Sequence, residues 1–199
     1  MSIREKLRKG KAYYEIRLES IGGLGANLCG KMLGELGLKY LNLNSSSFAS
    51  YGSEKTGTPV KGFIRYCDQE KEIRVHFPVI NPDVLVVFHE ALLLDEGVWK
   101  GCDKETSVIM AVNLPDSMPA NILPPDVYER VKSVGKCYLL DAQKIAMETH
   151  SRINVVMLGA TLKVMGVEDI EIGRKICTDT LGKKYPDALA SNIAGMERG

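Results

Sequence analysis

A glycine-rich turn near the N-terminus is the first feature with a chemical use. Ser20 is followed by Ile, Gly22, Gly23, Leu and Gly25, after an alternating segment and before a helical one. Such glycines let backbone N–H groups approach a ligand at a helix N-terminus, where the helix dipole favours phosphate. The same glycines suit a tight turn between a strand and a closely packed helix. The residues alone leave both interpretations open.

An independent dinucleotide site is not expected at this turn. A dinucleotide fingerprint has glycine where this chain has Ser20, and it needs a carboxylate for the ribose at the end of the second strand. The corresponding residues 42–44 are Asn-Leu-Asn. The turn therefore predicts at most a phosphate or cofactor contact.

Two further polar features accompany the turn. Residues 44–59 read as a long polar loop, in which Lys55 and Thr56 stand among glycines and hydroxyl groups. A lysine there is a compact point charge for phosphate, although on these residues alone a solvated lysine paired with Glu54 is favoured. Asn154 begins an apolar helical run, and a buried amide needs hydrogen-bond partners. It is therefore either a helix cap or a ligand contact.

The histidines and cysteines do not indicate a metal site. His76, His89 and His150 have no Cys or Asp at nucleophile or metal spacing. His89 follows an apolar strand and is the best candidate for a general base, with a structural role as the favoured alternative. The five cysteines are dispersed without Cys-x-x-Cys, so we do not expect this chain alone to hold an iron–sulfur cluster or zinc.

The elements that position these residues indicate an α/β fold. Residues 13–19 alternate as a strand, residues 24–36 have helical spacing, and residues 39–43 predict a second strand, which makes a βαβ opening. Residues 60–66 and 72–77 predict an antiparallel hairpin.

The later part of the chain continues the pattern of strands and helices. Apolar runs predict three more strands, at residues 84–88, 108–112 and 137–140. Helical periodicity predicts helices at residues 142–148, 153–165 and 169–181, with one more in the polar tail. We predict one three-layer domain with a mixed, mostly parallel sheet over residues 13–199. Residues 1–12 form an N-terminal extension.

The composition is that of an ordinary globular protein. Hydrophobic residues make up 45% and charged residues 26% of the 199, with a net charge of +1. This balance argues against a nucleic-acid partner, which would need clustered excess lysine and arginine. The basic residues between Arg4 and Lys11 are interpreted as a solvated lead-in. No apolar run is long enough to span a membrane and no signal peptide is recognised, so we expect a cytoplasmic protein.

Several segments, in order, resemble the gamma subunit, or domain III, of pyruvate:ferredoxin oxidoreductase and its 2-oxoacid relatives. The similarity covers nearly the whole chain after the first dozen residues. The segments are residues 22–26, in the place of a Gly-Gly-Gln-Gly turn; 47–60, with the following strand into Arg65; 82–87, a Pro-Asp strand; 141–146 with 154–160; and 192–199. The chain departs from the pattern at Ser20, Leu24 and the Lys55-Thr56 pair.

The resemblance implies an accessory subunit that is inactive alone. Enzymes of this family decarboxylate a 2-oxoacid oxidatively on thiamine diphosphate and pass electrons through iron–sulfur clusters to ferredoxin. Thiamine diphosphate, magnesium and the clusters would lie in alpha, beta and delta-type or fused partner subunits, in agreement with the absence of a Gly-Asp-Gly motif here. Coenzyme A would be the co-substrate, and ferredoxin would be reached through the complex.

The resemblance also implies which residues contact coenzyme A. Lys55 and Asn154 match residues that take part in longer relatives, and Gly22, Gly23, Gly25 and Thr56 would lie nearby. A pyruvate-type enzyme is favoured. The alternatives are an indolepyruvate, branched-chain or 2-oxoglutarate enzyme, and a non-catalytic nucleotide-binding module.

Overall fold

The computed structural model describes residues 3–52, 57–114 and 123–199. Six strands form one sheet in the order β2-β3-β1-β4-β5-β6. The strands are β1 Tyr14–Ile21, β2 Leu43–Tyr51, β3 Pro59–Asp68, β4 Val84–Val87, β5 Ser107–Ala111 and β6 Lys136–Leu140. The α-helices are α1 Ile3–Arg8, α2 Ala26–Lys39, α3 Glu96–Trp99, α4 Pro125–Ser133, α5 Ala142–Glu148, α6 Ile153–Met165, α7 Ile170–Leu181 and α8 Leu189–Arg198, with 3-10 helices at Glu90–Leu94 and Pro186–Ala188.

The sheet is mixed, as the sequence predicts. β1, β4, β5 and β6 pair in parallel, whereas β3 is antiparallel to both of its neighbours, β1 and β2. The βαβ opening is present as β1, α2 and β2, but β3 lies between the two strands. The predicted α/β class with a mostly parallel sheet is confirmed.

The predicted hairpin is wrong in its second strand. The predicted second strand at residues 39–43 is also wrong, because α2 continues to residue 39. Residues 44–51, interpreted as part of a loop, belong to β2, which pairs with β3, whereas residues 72–77 form no strand. The serines of β2 are accommodated because α2 presents glycines to them. Ser47 Oγ donates to the Gly30 carbonyl at 2.8 Å, and a Cβ on Gly34 would lie 2.8 Å from Ser47 Cβ. Small side chains on both elements thus allow a close helix–sheet approach.

Helices cover both faces of the sheet, which confirms the three layers. One apolar core contains residues of α2, α6, α7 and α8 against β1 and β4, including Ile16, Leu18 and Val86. On the other face of the sheet, α3, the neighbouring 3-10 helix and α4 form a second apolar core, which includes Leu85 and Trp99. The predicted helices at residues 142–148 and 153–165 are present, and Asp169 Oδ1 accepts a hydrogen bond from Glu171 N as the N-cap of α7.

The basic N-terminus is not a solvated lead-in. In α1, Ile3 and Leu7 join the main core. Lys6 is 5% exposed, and its Nζ donates to Asp83 Oδ1 at 2.8 Å. Lys6 thus pairs with a buried carboxylate at the start of β4. The pattern of charges along the sequence does not reveal this pairing. Within the described ranges, no helix is long and apolar enough to span a membrane.

Candidate functional site

The glycine turn joins the end of β1 to α2 and contacts α6. Gly25 caps α2 in the left-handed region with φ of 79°, and Gly23 has φ of 104°. A Cβ on Gly25 would lie 2.9 Å from Asn154 Nδ2. Glycine is therefore required at position 25 both by its backbone and by the close approach of α6.

Two helix N-termini open into one cavity of about 270 Å³ beside this contact. Neither α2 nor α6 has a side chain that caps its first turn, and neither has an acidic residue in that turn. The first N–H groups of a helix have no partner within the helix, and the dipole makes this end electropositive. The cavity is therefore suited to an anion such as phosphate.

Asn154 supplies a polar side chain to the cavity. The residue is 4% exposed and lines the cavity with Gly23 and Gly25. Its side-chain amide makes no hydrogen bond to any residue in the described part of the chain. Since the side chain lines the cavity and does not cap α6, its amide is available to a ligand.

Arg152 gives the cavity a positive charge. Its backbone N–H donates to the buried Asn192 Oδ1 at 3.2 Å, which fixes the start of α6. Its exposed guanidinium forms no ion pair with a described residue. The residues that line the cavity in the described ranges include no Asp or Glu. Neither Arg152 nor Asn192 was given a role from the sequence. The available signals were that Arg152 lies two positions before Asn154 and that Asn192 begins the C-terminal segment of the family resemblance.

A second, more open depression of about 750 Å³ adjoins the first and shares Gly23, Leu24 and Arg152 with it. His89 and His150 line it. His89 Nδ1 accepts a hydrogen bond from Ala91 N at 3.1 Å and caps the 3-10 helix, so the structural role is supported. We call the two depressions together the trough.

The predicted contacts are brought together only in part. Gly23, Gly25 and Asn154 line the trough, whereas Gly22 lines neither of its two depressions. The backbone N–H of Gly22 instead donates to the Thr58 carbonyl at 2.9 Å. Lys55 and Thr56 lie outside the described residues. The Gly22 bond places the start of β3 beside the glycine turn.

Comparisons with known proteins identify the family of the chain. Residues 15–199 match the family described as Pyruvate ferredoxin/flavodoxin oxidoreductase. The chain belongs to this family. It is 33% identical over 195 residues to pyruvate synthase subunit PorC of Thermotoga maritima, covering 95% of this chain and 94% of that protein. The crystal structure of the Thermotoga maritima subunit superimposes with a TM-score of 0.73 at 26% identity, covering 94% and 95% of the two chains.

Two other proteins extend the comparison. The Pyrococcus abyssi protein named pyruvate/ketoisovalerate oxidoreductases common subunit gamma is 34% identical over 184 residues, covering 87% of this chain and 92% of that protein. The 2-oxoglutarate:ferredoxin oxidoreductase of Magnetococcus marinus, solved with 2-oxoglutarate, coenzyme A and succinyl-CoA, has a TM-score of 0.70 at 21% identity. It covers 94% of this chain and 30% of that chain, so it shows a shared fold. The recognised gamma-subunit, or domain III, type is confirmed, and the chain is a subunit of a 2-oxoacid:ferredoxin oxidoreductase.

Proposed function

We propose that this chain is the gamma subunit of a cytoplasmic, pyruvate-type 2-oxoacid:ferredoxin oxidoreductase and binds coenzyme A in the trough. The observation that carries the proposal is the side-chain amide of Asn154, which lines the cavity without a hydrogen-bond partner among the described residues, at the junction of two uncapped helix N-termini. A cofactor with several phosphates and a polar pantetheine arm matches a site that combines N–H donors, a cation and an amide.

Each group in the trough has a defined task in this proposal. The N-terminal turns of α2 and α6, with Arg152, bind phosphate; Asn154 orients a polar group of the arm. Lys55 and Thr56 add a charge and a hydroxyl from the connection between β2 and β3. Closure of this subunit over the thiamine site of the partner chains would exclude water from the reacting groups.

The redox groups belong to other subunits in this proposal. Among the described residues, no three His, Cys, Asp or Glu side chains are grouped as a metal site requires, so this part of the chain does not fit a cluster or a magnesium ion. We assign thiamine diphosphate, magnesium and the iron–sulfur clusters to alpha, beta and delta-type or fused partners, which would supply decarboxylation and electron transfer to ferredoxin.

The identity of the 2-oxoacid is set elsewhere in the complex in this proposal. The Pyrococcus abyssi relative is named as common to pyruvate and ketoisovalerate oxidoreductases, and such sharing is expected where partner chains select the substrate. Pyruvate remains our assignment because the Thermotoga maritima relative is a pyruvate synthase subunit. A branched-chain oxoacid is the alternative that this comparison favours.

Calorimetric titration of coenzyme A into the assembled enzyme tests the site. Asn154→Ala removes one or two hydrogen bonds, and we expect the dissociation constant to rise about tenfold. Lys55→Ala is expected to weaken binding by a similar factor, more strongly at low salt. Lys175→Ala, an exposed lysine on α7, is the matched control and should bind as the wild type does. Unchanged affinity in Asn154→Ala would rule out the assignment.

A further inference from the structure

A buried guanidinium on β3 is only partly satisfied. Arg65 is 1% exposed, and its Nε donates to Glu15 Oε1 at 2.7 Å. Nη1 and Nη2 are buried and have no hydrogen-bond partner among the described residues. A buried charge normally uses most of its donors, because removing it from water is costly. Two strong donors of Arg65 therefore remain for an acceptor.

Ser46 lies directly beside this group. It is opposite Arg65 in the pairing of β2 with β3, and cross-strand partners share a face of the sheet. The Ser46 Oγ is also buried without a hydrogen-bond partner in the described part of the chain. The hydroxyl and the two Nη groups thus belong to cross-strand partners on one face of the sheet, and none of the three has an acceptor among the described residues.

The ion pairs on this face are unevenly shared. Glu15 and Glu19 pair with three cations, Arg17, Lys61 and Arg65, and the Asp95 carboxylate also lies near Glu19. Glu19 is shared between Arg17 and Lys61, while Arg65 has only Glu15. An additional carboxylate at Arg65 would accept from the two Nη groups that Glu15 leaves unused.

An aromatic ring at the surface packs against Arg65. The Phe77 ring centroid lies 5.3 Å from Arg65 Cζ, and Phe77 itself is 57% exposed. Residues 72–76 form neither helix nor strand, and a groove of about 480 Å³ beside them is lined by Ser46 and His76. Glu72 and Arg74 also line the groove and form an ion pair with each other. An exposed aromatic ring beside an arginine is typical of the central contacts of protein–protein interfaces.

We propose that Arg65 and Ser46 bind the carboxylate of an Asp or Glu side chain on a partner subunit of the same oxidoreductase. The planar guanidinium with two free Nη groups fits a carboxylate in a bidentate pair, and Ser46 Oγ donates a third hydrogen bond. Phe77 packs at the edge of this contact and excludes water. The site lies on the opposite half of β1 from the glycine turn and does not depend on coenzyme A binding.

The test separates assembly from folding. Arg65→Met leaves Glu15 half-buried without its partner, so the single variant should lose both thermal stability and affinity for the other chains. Adding Glu15→Gln removes the stranded charge. We expect Arg65→Met/Glu15→Gln to recover the melting temperature of the isolated subunit but to bind the immobilised partner chains at least about tenfold more weakly than the wild type. A double variant that assembles with wild-type affinity would show that Arg65 is structural only and overturn the proposal.

Two further measurements complete the test. If sodium acetate at about 50 mM stabilises the isolated wild type but not the double variant, the site takes a free carboxylate and the partner assignment is wrong. Should the double variant fail to fold, hydrogen exchange of the wild type decides. The amides of residues 72–77 must become protected when the enzyme assembles, and unchanged exchange would overturn the proposal.

Discussion

Gly25→Ala is the substitution that tests the site geometry most directly. An alanine in the left-handed region costs roughly 1–2 kcal/mol. The new Cβ would also lie 2.9 Å from Asn154 Nδ2 and 3.0 Å from Asn154 Cγ. Ordinary contacts between such atoms are about 3.5–4.0 Å, so Asn154 must move by roughly 0.5–1 Å. We expect the free energy of unfolding to fall by about 2 kcal/mol, which lowers the melting temperature by about 4–8 °C.

The same displacement should weaken coenzyme A binding. A hydrogen bond from Asn154 that is lengthened by this amount lies outside the normal range of about 2.7–3.2 Å. We therefore expect the dissociation constant for coenzyme A to rise about tenfold in the assembled enzyme, measured by calorimetry. The melting temperature of the isolated subunit is measured in parallel.

Gly10→Ala is the matched control for this experiment. Gly10 also has positive φ, at 88°, but a Cβ there would meet no atom within 4 Å. It should therefore show the backbone strain alone, with a smaller loss of stability and unchanged coenzyme A affinity. If Gly25→Ala and Gly10→Ala behave alike in both measurements, the contact between the glycine turn and Asn154 does not shape the binding site.

Two further predictions concern buried ionisable groups. The Asp83 carboxylate accepts hydrogen bonds from Lys6 and Lys11. Asp83→Asn should lower the free energy of unfolding, measured in urea, by about 3 kcal/mol or more, because Lys6 is left buried without its anion. We expect Lys6→Met/Asp83→Asn to recover this loss, and wild-type stability of Asp83→Asn alone would contradict the prediction. Burial raises the pKa of Cys102 and of Cys137 to about 11. At pH 8 only about one in a thousand of these thiols is therefore ionised, and the thiolate is the reactive form. Both cysteines should react with Ellman's reagent far more slowly in the folded protein than in urea.

Local signals predict α2 and the helices from α5 to α7 well, whereas α1, α3 and α4 were not predicted. Asp169 as an N-cap, the apolar run that begins at Ile153 and the segment of residues 142–148 all depend on neighbours within a few positions. β2 could not be found in this way, because its serines resemble a loop until the glycines of α2 are placed against them. The interpretation of Lys6 failed for a similar reason, since its partner Asp83 is 77 positions away.

In the candidate site, too, the residue types could be recognised from the sequence but their contacts could not. Gly23, Gly25 and Asn154 are each recognisable as polar or conformationally special, but from the residues alone each had two interpretations. Their contact joins positions more than a hundred residues apart, so only the resemblance grouped them before the fold did. Gly22 was included in that group, yet its N–H is used by the Thr58 carbonyl.

The two proposed contacts lie toward opposite ends of β1, and this separation has a measurable consequence. Glu15, which pairs with Arg65, is near the start of the strand, and Ile21 ends it at the glycine turn. Six residues of strand span about 20 Å, beyond the distance within which substitutions usually couple. Asn154→Ala and Arg65→Met/Glu15→Gln should therefore act additively, the first on coenzyme A affinity and the second on assembly. Strong coupling between them would mean that the partner chain also reaches the trough, so that assembly and coenzyme A binding share a surface.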